Sequence, residues 1–581
     1  MNQTLVHHVA KWLKTDSHRE LFTFRDLRTQ TEKSLTYRDL WNEGSCFAEQ
    51  LDCLPIQSVV LIVLPLGTRL FSAHFGCLLQ RLIPVIHSHP SAKMEKKAYQ
   101  THLSHVLNQI TPAAILTNQS YAADIRANNP QYTGLILEEE SIALHSDYIP
   151  TRWQNASSDD TAIIQHSSGS TGLQKGVALS HQMILRQCES YAKAIQLDSN
   201  HDAIASWIPL YHDMGLFTTW LLPLLHGVRV YAIDPFEWIQ KPSSFLKLIS
   251  DHKATLAWQP NFAYQVLASR VTSDEMQGVN LSSVRGISNC SEPARAKSHD
   301  LFLNRFENNG LKRSALWVCY AMAENSFAVT TAGSTTQPVE LSPSGVLSVG
   351  IPIEGCLVTI VDETRRTLKD PEVGEVAIQS PFLLKNYYRN EEATQKNLDP
   401  DGWYYTGDMG FLNQGQLYIT GRKKDLIIVG GRNFYPQDLE AIMDDCEGTL
   451  PGRSVALSLD DESSGTSKII LLAESVLTDT TELSALIRRQ IYEELDCPVS
   501  EVHIVPPKWL LKTTSGKIAR RPNLERYLGG EMPKPISISS AATQTPPSWP
   551  EMLGWSLAIA LTLCLGVILK TNSSWAVYSQ F

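Results

Sequence analysis

The chain has 581 residues, 43% of them hydrophobic, which is enough to bury a large core and long enough for more than one domain. Its formal net charge of −10 leaves no basic excess, so nucleic acid is disfavoured as the main partner. The 10 Cys occur singly, without a CxxC pair, as is typical of reduced thiols in a cytosolic protein. Residues 1–14 lack the apolar segment of a secretory signal, so we expect the body of the chain to stay in the cytoplasm.

Short apolar runs alternate with longer mixed segments through most of the chain. The runs at 58–64 and 113–118 have the length of buried strands, and the pattern continues in DAIASWIPL, VRVYAI and TLAWQP. Such alternation is typical of a layered α/β domain with largely parallel strands. We therefore predict one large α/β domain over residues 1–420.

A smaller unit is predicted after the large domain. LIIVGG, SVALSL and SKIILLAES have strand-like composition, and TELSALIRRQIYEEL has a helical pattern. These segments predict a small α+β C-terminal lid domain over residues 421–528. Residues 529–550 are rich in Gly, Pro, Ser and Thr and predict a disordered linker.

The last apolar run favours a membrane anchor. Residues 552–569 are 18 positions without a charge, and a helix of this length would span about 27 Å, close to a hydrocarbon core of about 30 Å. Trp555 lies at one end of the run, and Trp575 and Tyr578 lie beyond the other, as suits a membrane interface. We therefore predict a C-terminal transmembrane helix at 551–570, a short tail at 571–581 and a single-pass membrane protein whose catalytic body faces the cytoplasm. A buried core helix is the alternative.

The segment HSSGSTGLQKG, residues 166–176, combines Gly, small hydroxyl residues and a single Lys. Backbone N–H groups of such a loop can approach an anion closely, and the hydroxyls and Lys175 add donors and charge. Polyphosphate is the predicted ligand, although this is not a Walker A loop because no Ser or Thr follows Lys175. Taken alone, the segment also fits a flexible surface turn.

Six further motifs follow this loop along the chain. They are WIPLYHDMGL (207–216), SNCSEPA (288–294), CYAMAEN (319–325), GWYYTGDMGFL (402–412), GRKKDLIIVGGRNFYPQDLE (421–440) and KTTSGKIARR (512–521). Together they resemble, in order, the motifs of the adenylate-forming superfamily of acyl-CoA synthetases, peptide-synthetase adenylation domains and luciferases. PLYHDMGL, QPNFAY and GRNFYPQDLE look most like the fatty acyl-AMP ligases, which activate long-chain acids and pass them to carrier proteins. The resemblance implies a large N-terminal domain of layered sheets and helices, a mobile lid, and the use of ATP and Mg²⁺.

The resemblance also implies nucleotide-binding roles at matching positions. Tyr320 is similar to the aromatic residue that lies on adenine, Asp408 to the acid that accepts both ribose hydroxyls, and Arg422 to the ribose-contacting Arg. The full set of ATP-binding residues implied in this way is Ser168, Gly169, Ser170, Thr171, Gly172, Lys175, Ser291, Glu292, Tyr320, Ala323, Asp408 and Arg422.

A carboxylate that attacks the α-phosphorus of ATP brings negative charges together, so the site must supply cations rather than a covalent nucleophile. Lys517 resembles the catalytic Lys that reaches the acyl carboxylate, and Glu324 and Thr171 match the Mg²⁺ site. His212 resembles the residue that gates entry to the acyl pocket, although a His beside an Asp is often structural. Lys424 falls at the hinge of the lid, or is one charge of a solvated run.

The sequence therefore predicts a ligase that converts a medium- or long-chain fatty acid to acyl-AMP and transfers it to the phosphopantetheine thiol of an acyl carrier protein. Free CoA is the alternative acceptor, because only 21 residues, 325–345, lie where fatty acyl-AMP ligases usually carry extra material. A non-catalytic membrane-bound homologue is less favoured, since Lys517, Glu324 and Asp408 are all present.

Some features of the sequence remain open to two interpretations. His166 before the loop and Cys290 in SNCSEP both depart from the family pattern. Apolar residues around His212 either line a hydrophobic acyl pocket or belong to the ordinary core; they are Trp207, Tyr211, Met214, Leu216, Phe217 and Trp220.

Overall fold

The computed structural model of the protein describes residues 3–90, 96–144, 147–166, 175–334, 338–343, 345–429, 432–461, 466–477, 479–512 and 517–532. The chain divides into two compact units, Met1–Glu531 and Met532–Phe581. All described residues except Met532 belong to the first unit.

Strands alternate with helices through most of the first unit. In chain order the strands are β1 Glu20–Asp26, β2 Thr31–Thr36, β3 Val59–Val63, β4 Ile83–Ile86, β5 Ala114–Thr117, β6 Leu135–Glu138, β7 Thr161–His166, β8 Gly176–Ser180, β9 Ala203–Ser206, β10 Arg229–Ile233, β11 Leu256–Gln259, β12 Gly286–Cys290, β13 Leu316–Ala321, β14 Ala328–Ala332, β15 Ser348–Pro352, β16 Leu357–Val361, β17 Gly374–Gln379, β18 Tyr404–Asn413, β19 Gln416–Arg422, β20 Ile427–Val429, β21 Arg432–Phe434, β22 Ser454–Asp461, β23 Thr466–Glu474 and β24 Glu501–Val505.

The helices lie mainly between these strands. In chain order they are α1 Leu5–Asp16, α2 Tyr37–Gln50, α3 Thr68–Leu79, α4 Lys96–Ile110, α5 Gln119–Asn128, α6 His181–Ala194, α7 Asp213–Gly215, α8 Leu222–His226, α9 Pro235–Gln240, α10 Ser243–His252, α11 Asn261–Arg270, α12 Ala296–Phe306, α13 Glu391–Asn397, α14 Pro436–Asp445, α15 Thr481–Leu495 and α16 Arg520–Leu528. A π-helical turn, Leu216–Leu221, joins α7 to α8.

One 13-stranded sheet runs through the large body, in the order β16-β17-β18-β19-β15-β14-β13-β12-β11-β9-β10-β1-β2. Its central strands, from β13 to β1, pair in parallel, whereas β13 and β14 pair antiparallel. Parallel strands are covered on both faces, and β11 and β12 are accordingly buried along their whole length. The predicted α/β layering is therefore present, and the apolar runs DAIASWIPL, VRVYAI and TLAWQP contain β9, β10 and β11.

A second, parallel sheet has the strand order β4-β3-β5-β6. The runs predicted as strands at 58–64 and 113–118 contain its two central strands, β3 and β5, and the five residues of β3 are all buried. The helix α2 begins where the Thr36 hydroxyl accepts a hydrogen bond from the N–H of Asp39, and it packs against α3.

The C-terminal part of the unit has an apolar core of its own. This core extends from Ile427 to Val499 and contains residues of β22, β23, α14 and α15, while the main core ends at Leu417. The segment TELSALIRRQIYEEL forms α15 over its full length, because Leu483, Ile487 and Ile491 recur at helical spacing and are buried. The strands predicted from LIIVGG, SVALSL and SKIILLAES are β20, β22 and β23.

The prediction of a C-terminal transmembrane helix and of a membrane location is wrong for this structure. No helix among the described residues is long and apolar enough to cross a membrane. The longest of them, α4 and α15, have 15 residues and span about 22 Å, whereas a hydrocarbon core is about 30 Å thick. Residues 551–570, where we expected the anchor, lie outside the described residues.

The contact between α2 and α3 generates a stability prediction. A Cβ atom at Gly76 would lie 2.6 Å from the Cβ of Phe47 and 2.8 Å from the carbonyl oxygen of Gly44. We expect Gly76→Ala to lower the free energy of unfolding by about 1–3 kcal/mol, measured by urea unfolding, because the backbones must separate. The higher helix propensity of Ala would by itself raise the free energy of unfolding by up to about 1 kcal/mol. A variant more stable than the wild type would therefore contradict the close packing.

Candidate active site

Several candidate residues follow the carboxyl ends of neighbouring parallel strands in the main sheet. His212 comes after β9, Ser291 and Glu292 come directly after β12, and Glu324 follows β13. Because β9, β11, β12 and β13 are consecutive in the sheet, these residues meet at one edge. Ligands of open α/β sheets bind at such edges.

Asp408 lies between a phenol and a guanidinium. The hydroxyl of Tyr320 donates a hydrogen bond to Asp408 Oδ2 at 2.6 Å, and the Arg422 Nε lies 3.0 Å from Asp408 Oδ1. Asp408 and Arg422 are paired across β18 and β19, and the charge of Asp408 raises the pKa of Arg422. Asp408 is 6% exposed, and each of its oxygens retains a second lone pair that can accept a ligand hydroxyl.

Glu324 lies in the 3₁₀ turn Ala323–Asn325, after β13. Its carboxylate Oε1 accepts a hydrogen bond from the hydroxyl of Tyr387 at 2.8 Å, and the Tyr387 and Tyr404 hydroxyl oxygens are 2.8 Å apart. Burial raises the pKa of Glu324, and the bond from Tyr387 opposes this shift. The neighbouring Ala323 is buried at 4% exposure.

The carboxylate of Glu324 suits a hard divalent cation, but the described residues do not supply a complete set of protein ligands for one. Within the described ranges there is no group of three or more His, Cys, Asp or Glu that could hold a metal ion. Mg²⁺ is usually bound through one or two carboxylates together with substrate phosphates and waters. A single half-buried carboxylate is consistent with that mode.

Most of the predicted phosphate loop, including Ser168, Gly169, Ser170, Thr171 and Gly172, lies outside the described residues. The end of the motif is described: Lys175 immediately precedes β8. The Lys175 Nζ lies 4.6 Å from the ring centroid of Tyr387. The loop lysine and the Glu324 carboxylate therefore contact the same tyrosine.

His166, which departs from the family pattern, ends β7 and is 7% exposed. Burial, with a smaller contribution from His102 and His105, lowers the pKa of His166 to about 4. The ring is therefore neutral at pH 7, and it adds no cation next to the loop.

His212 is the N-cap residue of the short helix α7, beside Asp213. Its Nδ1 lies 2.6 Å from Asp213 Oδ1, and the backbone N–H of Met214 donates to the same carboxylate oxygen at 2.8 Å. Burial alone would raise the pKa of Asp213, but the contact with His212, with smaller contributions from Lys517 and the Met214 N–H, outweighs burial, and the net pKa is lowered. The structure thus holds the imidazole against an ionised carboxylate.

The structure brings Lys517 from the C-terminal part to the same site. The pKa of Lys517 is lowered, because burial and the positive charge of Arg422 outweigh the negative charges of Glu292 and Asp213, which raise it. The Oε2 of Glu292 accepts a hydrogen bond from the N–H of Phe262 at 3.0 Å, which fixes this carboxylate after Ser291, a residue with φ of 71°. Lys517, Glu292 and Asp213 therefore form one electrostatic cluster.

Lys424 interacts with the charges of Asp425, Arg422 and Asp408. It is exposed in the 3₁₀ turn Lys423–Asp425, which separates β19 from β20. The adjacent Lys423 forms an ion pair of 2.9 Å with Glu375. The turn therefore lies at the junction between the main core and the C-terminal core.

The apolar residues around His212 pack mainly in the core. Trp207 stacks on Trp238 with ring centroids 3.6 Å apart, and the Trp220 Nε1 donates to His74 Nδ1 at 3.1 Å. Met214, Leu216 and Phe217 are also buried in the main core, and Tyr211 packs against it. In the described structure the core interpretation accounts for these side chains.

Sequence reasoning missed Tyr387 and Tyr404, which connect several site residues. Tyr387 is in KNYYRN and Tyr404 is in GWYYTGD, and both hydroxyls are buried. A buried tyrosine hydroxyl usually has a hydrogen-bond partner, so the doubled tyrosines were the available signal.

A family model described as AMP-binding enzyme matches residues 9–388 of the chain. The chain belongs to this family. As an AMP-binding enzyme it uses ATP and is an acyl-AMP or acid-thiol ligase.

Among its relatives, the AMP-binding enzyme is 30% identical over 558 residues to the medium-chain-fatty-acid–[acyl-carrier-protein] ligase JamA of Moorena producens, covering 89% of this chain and 93% of that protein. It is 27% identical over 547 residues to the long-chain-fatty-acid–AMP ligase FadD26 of Mycobacterium tuberculosis, covering 85% and 91%. A solved structure from a study of fatty acyl-adenylate ligases of E. coli and L. pneumophila is similar, with a TM-score of 0.81, 25% identity and coverage of 91% and 98%.

The cluster around Lys517 generates a prediction for the pH dependence of adenylation. An ammonium is lost as pH rises through its pKa, and Glu292 holds the pKa of Lys517 up. We expect Glu292→Gln to lower that pKa and move the alkaline limb of the kcat profile to lower pH, measured by pyrophosphate release. The exposed control Glu307→Gln should leave the limb in place, and an unmoved limb in Glu292→Gln would exclude control of Lys517 by Glu292.

Proposed function

We propose that this AMP-binding enzyme adenylates a medium- or long-chain fatty acid and transfers the acyl group to the phosphopantetheine thiol of an acyl carrier protein. The observation that carries the proposal is the electrostatic cluster of Lys517 with Glu292 and Asp213, next to the Tyr320–Asp408–Arg422 group. The choice of substrate and acceptor is supported by the likeness to the ligase of Moorena producens.

In the proposed reaction, a carboxylate oxygen of the acid attacks the α-phosphorus of ATP, and pyrophosphate leaves. Lys517 would lie against the acyl carboxylate and the α-phosphate, where a compact cation offsets the approach of two anions. Lys175, with the loop hydroxyls, would bind the β- and γ-phosphates that leave. Asp408 would accept the ribose hydroxyls, Arg422 would contact the ribose and Tyr320 would lie on the adenine.

We also propose that Glu324, together with Thr171 of the phosphate loop, holds the Mg²⁺ that accompanies ATP. When bound, the ion would neutralise phosphate charge. The support from this structure is a half-buried carboxylate, whose oxygens are hard donors, held by one hydrogen bond from Tyr387.

We further propose that residues 1–420 form the catalytic domain and 421–528 a mobile lid. The two separate apolar cores support this division. Lys424 would then be the hinge, because it lies in a short exposed turn between the cores. Residues 529–550 would form the linker that follows the lid.

A second candidate function, transfer of the acyl group to free CoA, also has an observation in its favour. The short segment 325–345 departs from the longer insertion that fatty acyl-AMP ligases usually carry, and this favours free CoA. The likeness to ligases whose names specify an acyl carrier protein or AMP favours the carrier protein.

The role of Lys517 is tested by substitution. We expect Lys517→Ala to lower fatty-acid-dependent ATP–pyrophosphate exchange by roughly 10²-fold, because one preorganised charge is lost at the reacting phosphate. The control is Lys312→Ala, which removes an exposed lysine after α12. Exchange at the wild-type rate in Lys517→Ala would rule out the assigned role.

The acceptor is tested with the full chain, MgATP and fatty acids of increasing length. We expect acyl transfer to a phosphopantetheinylated carrier protein to be faster than transfer to CoA, measured by mass spectrometry of the carrier and by acyl-CoA formation. Rapid acyl-CoA formation without carrier acylation would replace the proposed function by that of an acyl-CoA synthetase. If no fatty acid stimulates pyrophosphate release, the substrate class itself is wrong.

A further inference from the structure

The segment 380–388, which runs from β17 toward α13, contacts the turn that carries Glu324. The contacts involve both backbone and side chains. They are Ser380 Oγ donating to Asn325 Oδ1 at 2.6 Å, Ser326 Oγ donating to the Phe382 carbonyl at 2.7 Å and the Leu384 N–H donating to the Glu324 carbonyl at 2.7 Å. The backbone of the Glu324 turn is therefore fixed by this segment.

The other end of segment 380–388 contacts the residues that follow the phosphate loop. The Tyr388 N–H donates to the Gly176 carbonyl at 2.7 Å, and Tyr387 forms an antiparallel bridge with Val177. Gly176 directly follows Lys175 in the sequence. One short segment thus connects the Glu324 turn to the end of the loop.

Tyr387 makes the same connection with its side chain. It is 2% exposed, its hydroxyl lies 2.8 Å from Glu324 Oε1, and its ring faces the Lys175 Nζ at 4.6 Å. The Tyr387 hydroxyl donates its one hydrogen to Glu324 Oε1, so it accepts from the Tyr404 hydroxyl. The hydroxyl of Tyr387 therefore contacts the Glu324 carboxylate, and its ring face contacts the Lys175 ammonium.

We propose that Tyr387 is a positioning residue that fixes the Glu324 carboxylate through its hydroxyl and the Lys175 ammonium through its ring. Its effect would be to align the group that binds the divalent cation with the group that binds the leaving phosphates. The inference rests on the proposed function, because it takes Glu324 and Lys175 as the residues that bind the cation and the phosphates.

The two contacts of Tyr387 can be removed separately. Tyr387→Phe keeps the ring beside Lys175 and removes only the hydroxyl that orients Glu324. Tyr387→Leu removes both contacts, since an aliphatic side chain offers no aromatic face to a cation. Tyr388→Phe is the matched control, because it deletes a hydroxyl from the next residue of the same segment.

Binding measurements separate the two effects without relying on turnover. Mn²⁺ binding is followed by electron paramagnetic resonance in the presence of α,β-methylene-ATP, and binding of that nucleotide alone is measured by calorimetry with EDTA. We expect Tyr387→Phe to weaken Mn²⁺ binding about 10-fold, which is the effect of removing a residue that orients a metal ligand. The affinity for the metal-free nucleotide should stay unchanged. Tyr387→Leu should also weaken binding of the metal-free nucleotide about 3-fold, the effect of losing one cation–π contact.

A second pair of variants tests the ring contact from the lysine side. In a Lys175→Ala background, Tyr387→Phe and Tyr387→Leu should bind the metal-free nucleotide equally, because the cation is gone. This comparison holds even if Tyr387→Leu alone is less stable, provided that melting temperatures are measured for every variant.

Wild-type Mn²⁺ affinity in a folded Tyr387→Phe variant would overturn the inference. Equal loss of metal-free nucleotide binding in Tyr387→Phe and Tyr387→Leu, each in the otherwise wild-type chain, would also overturn it. Either result leaves the proposed function intact if the wild-type chain binds nucleotide and forms acyl-AMP. A wild-type chain that binds no nucleotide would instead remove the proposed function, and this inference with it.

Discussion

The organisation of the site depends on the partners that its carboxylates have within the fold. Asp213 is held by His212, Glu324 by Tyr387, and Asp408 by Tyr320 and Arg422. A buried charge without partners is costly, so each carboxylate needs its own hydroxyl or cation before any ligand arrives. In the proposed reaction the charge of the phosphates would be met by other groups, among them Lys175 and Lys517.

The main sheet explains why these groups meet although they are far apart in the sequence. Parallel pairing of β11, β12 and β13 places the residues after each strand at one edge, and the pairing of β18 with β19 brings Asp408 opposite Arg422. The body therefore provides a rigid half of the site. Lys517 comes from outside that sheet, and its partial burial lowers its pKa.

Local pattern was sufficient to predict the secondary structure but not the contacts. The apolar run at 58–64 predicted β3, and the spacing of Leu483, Ile487 and Ile491 predicted α15, because each pattern is a property of one segment. The apolar run at 552–569 was interpreted by the same reasoning, yet the anchor predicted there is wrong, as the described helices are too short to cross a membrane. The site motifs were found through their resemblance to a family, whereas the link from Tyr387 to Glu324 depends on tertiary packing across 63 residues of sequence.

A single ring between two charged groups has a consequence for ligand binding. If Tyr387 orders Glu324 and Lys175 together, a nucleotide that fixes the lysine restricts the same ring that orients the carboxylate. The cation then meets a site whose ordering entropy is already lost, so it binds more tightly in the presence of nucleotide. Thermodynamic linkage requires the converse, namely that the cation strengthens nucleotide binding by the same factor. The packing of segment 380–388 against both the Glu324 turn and β8 gives this coupling a continuous physical path.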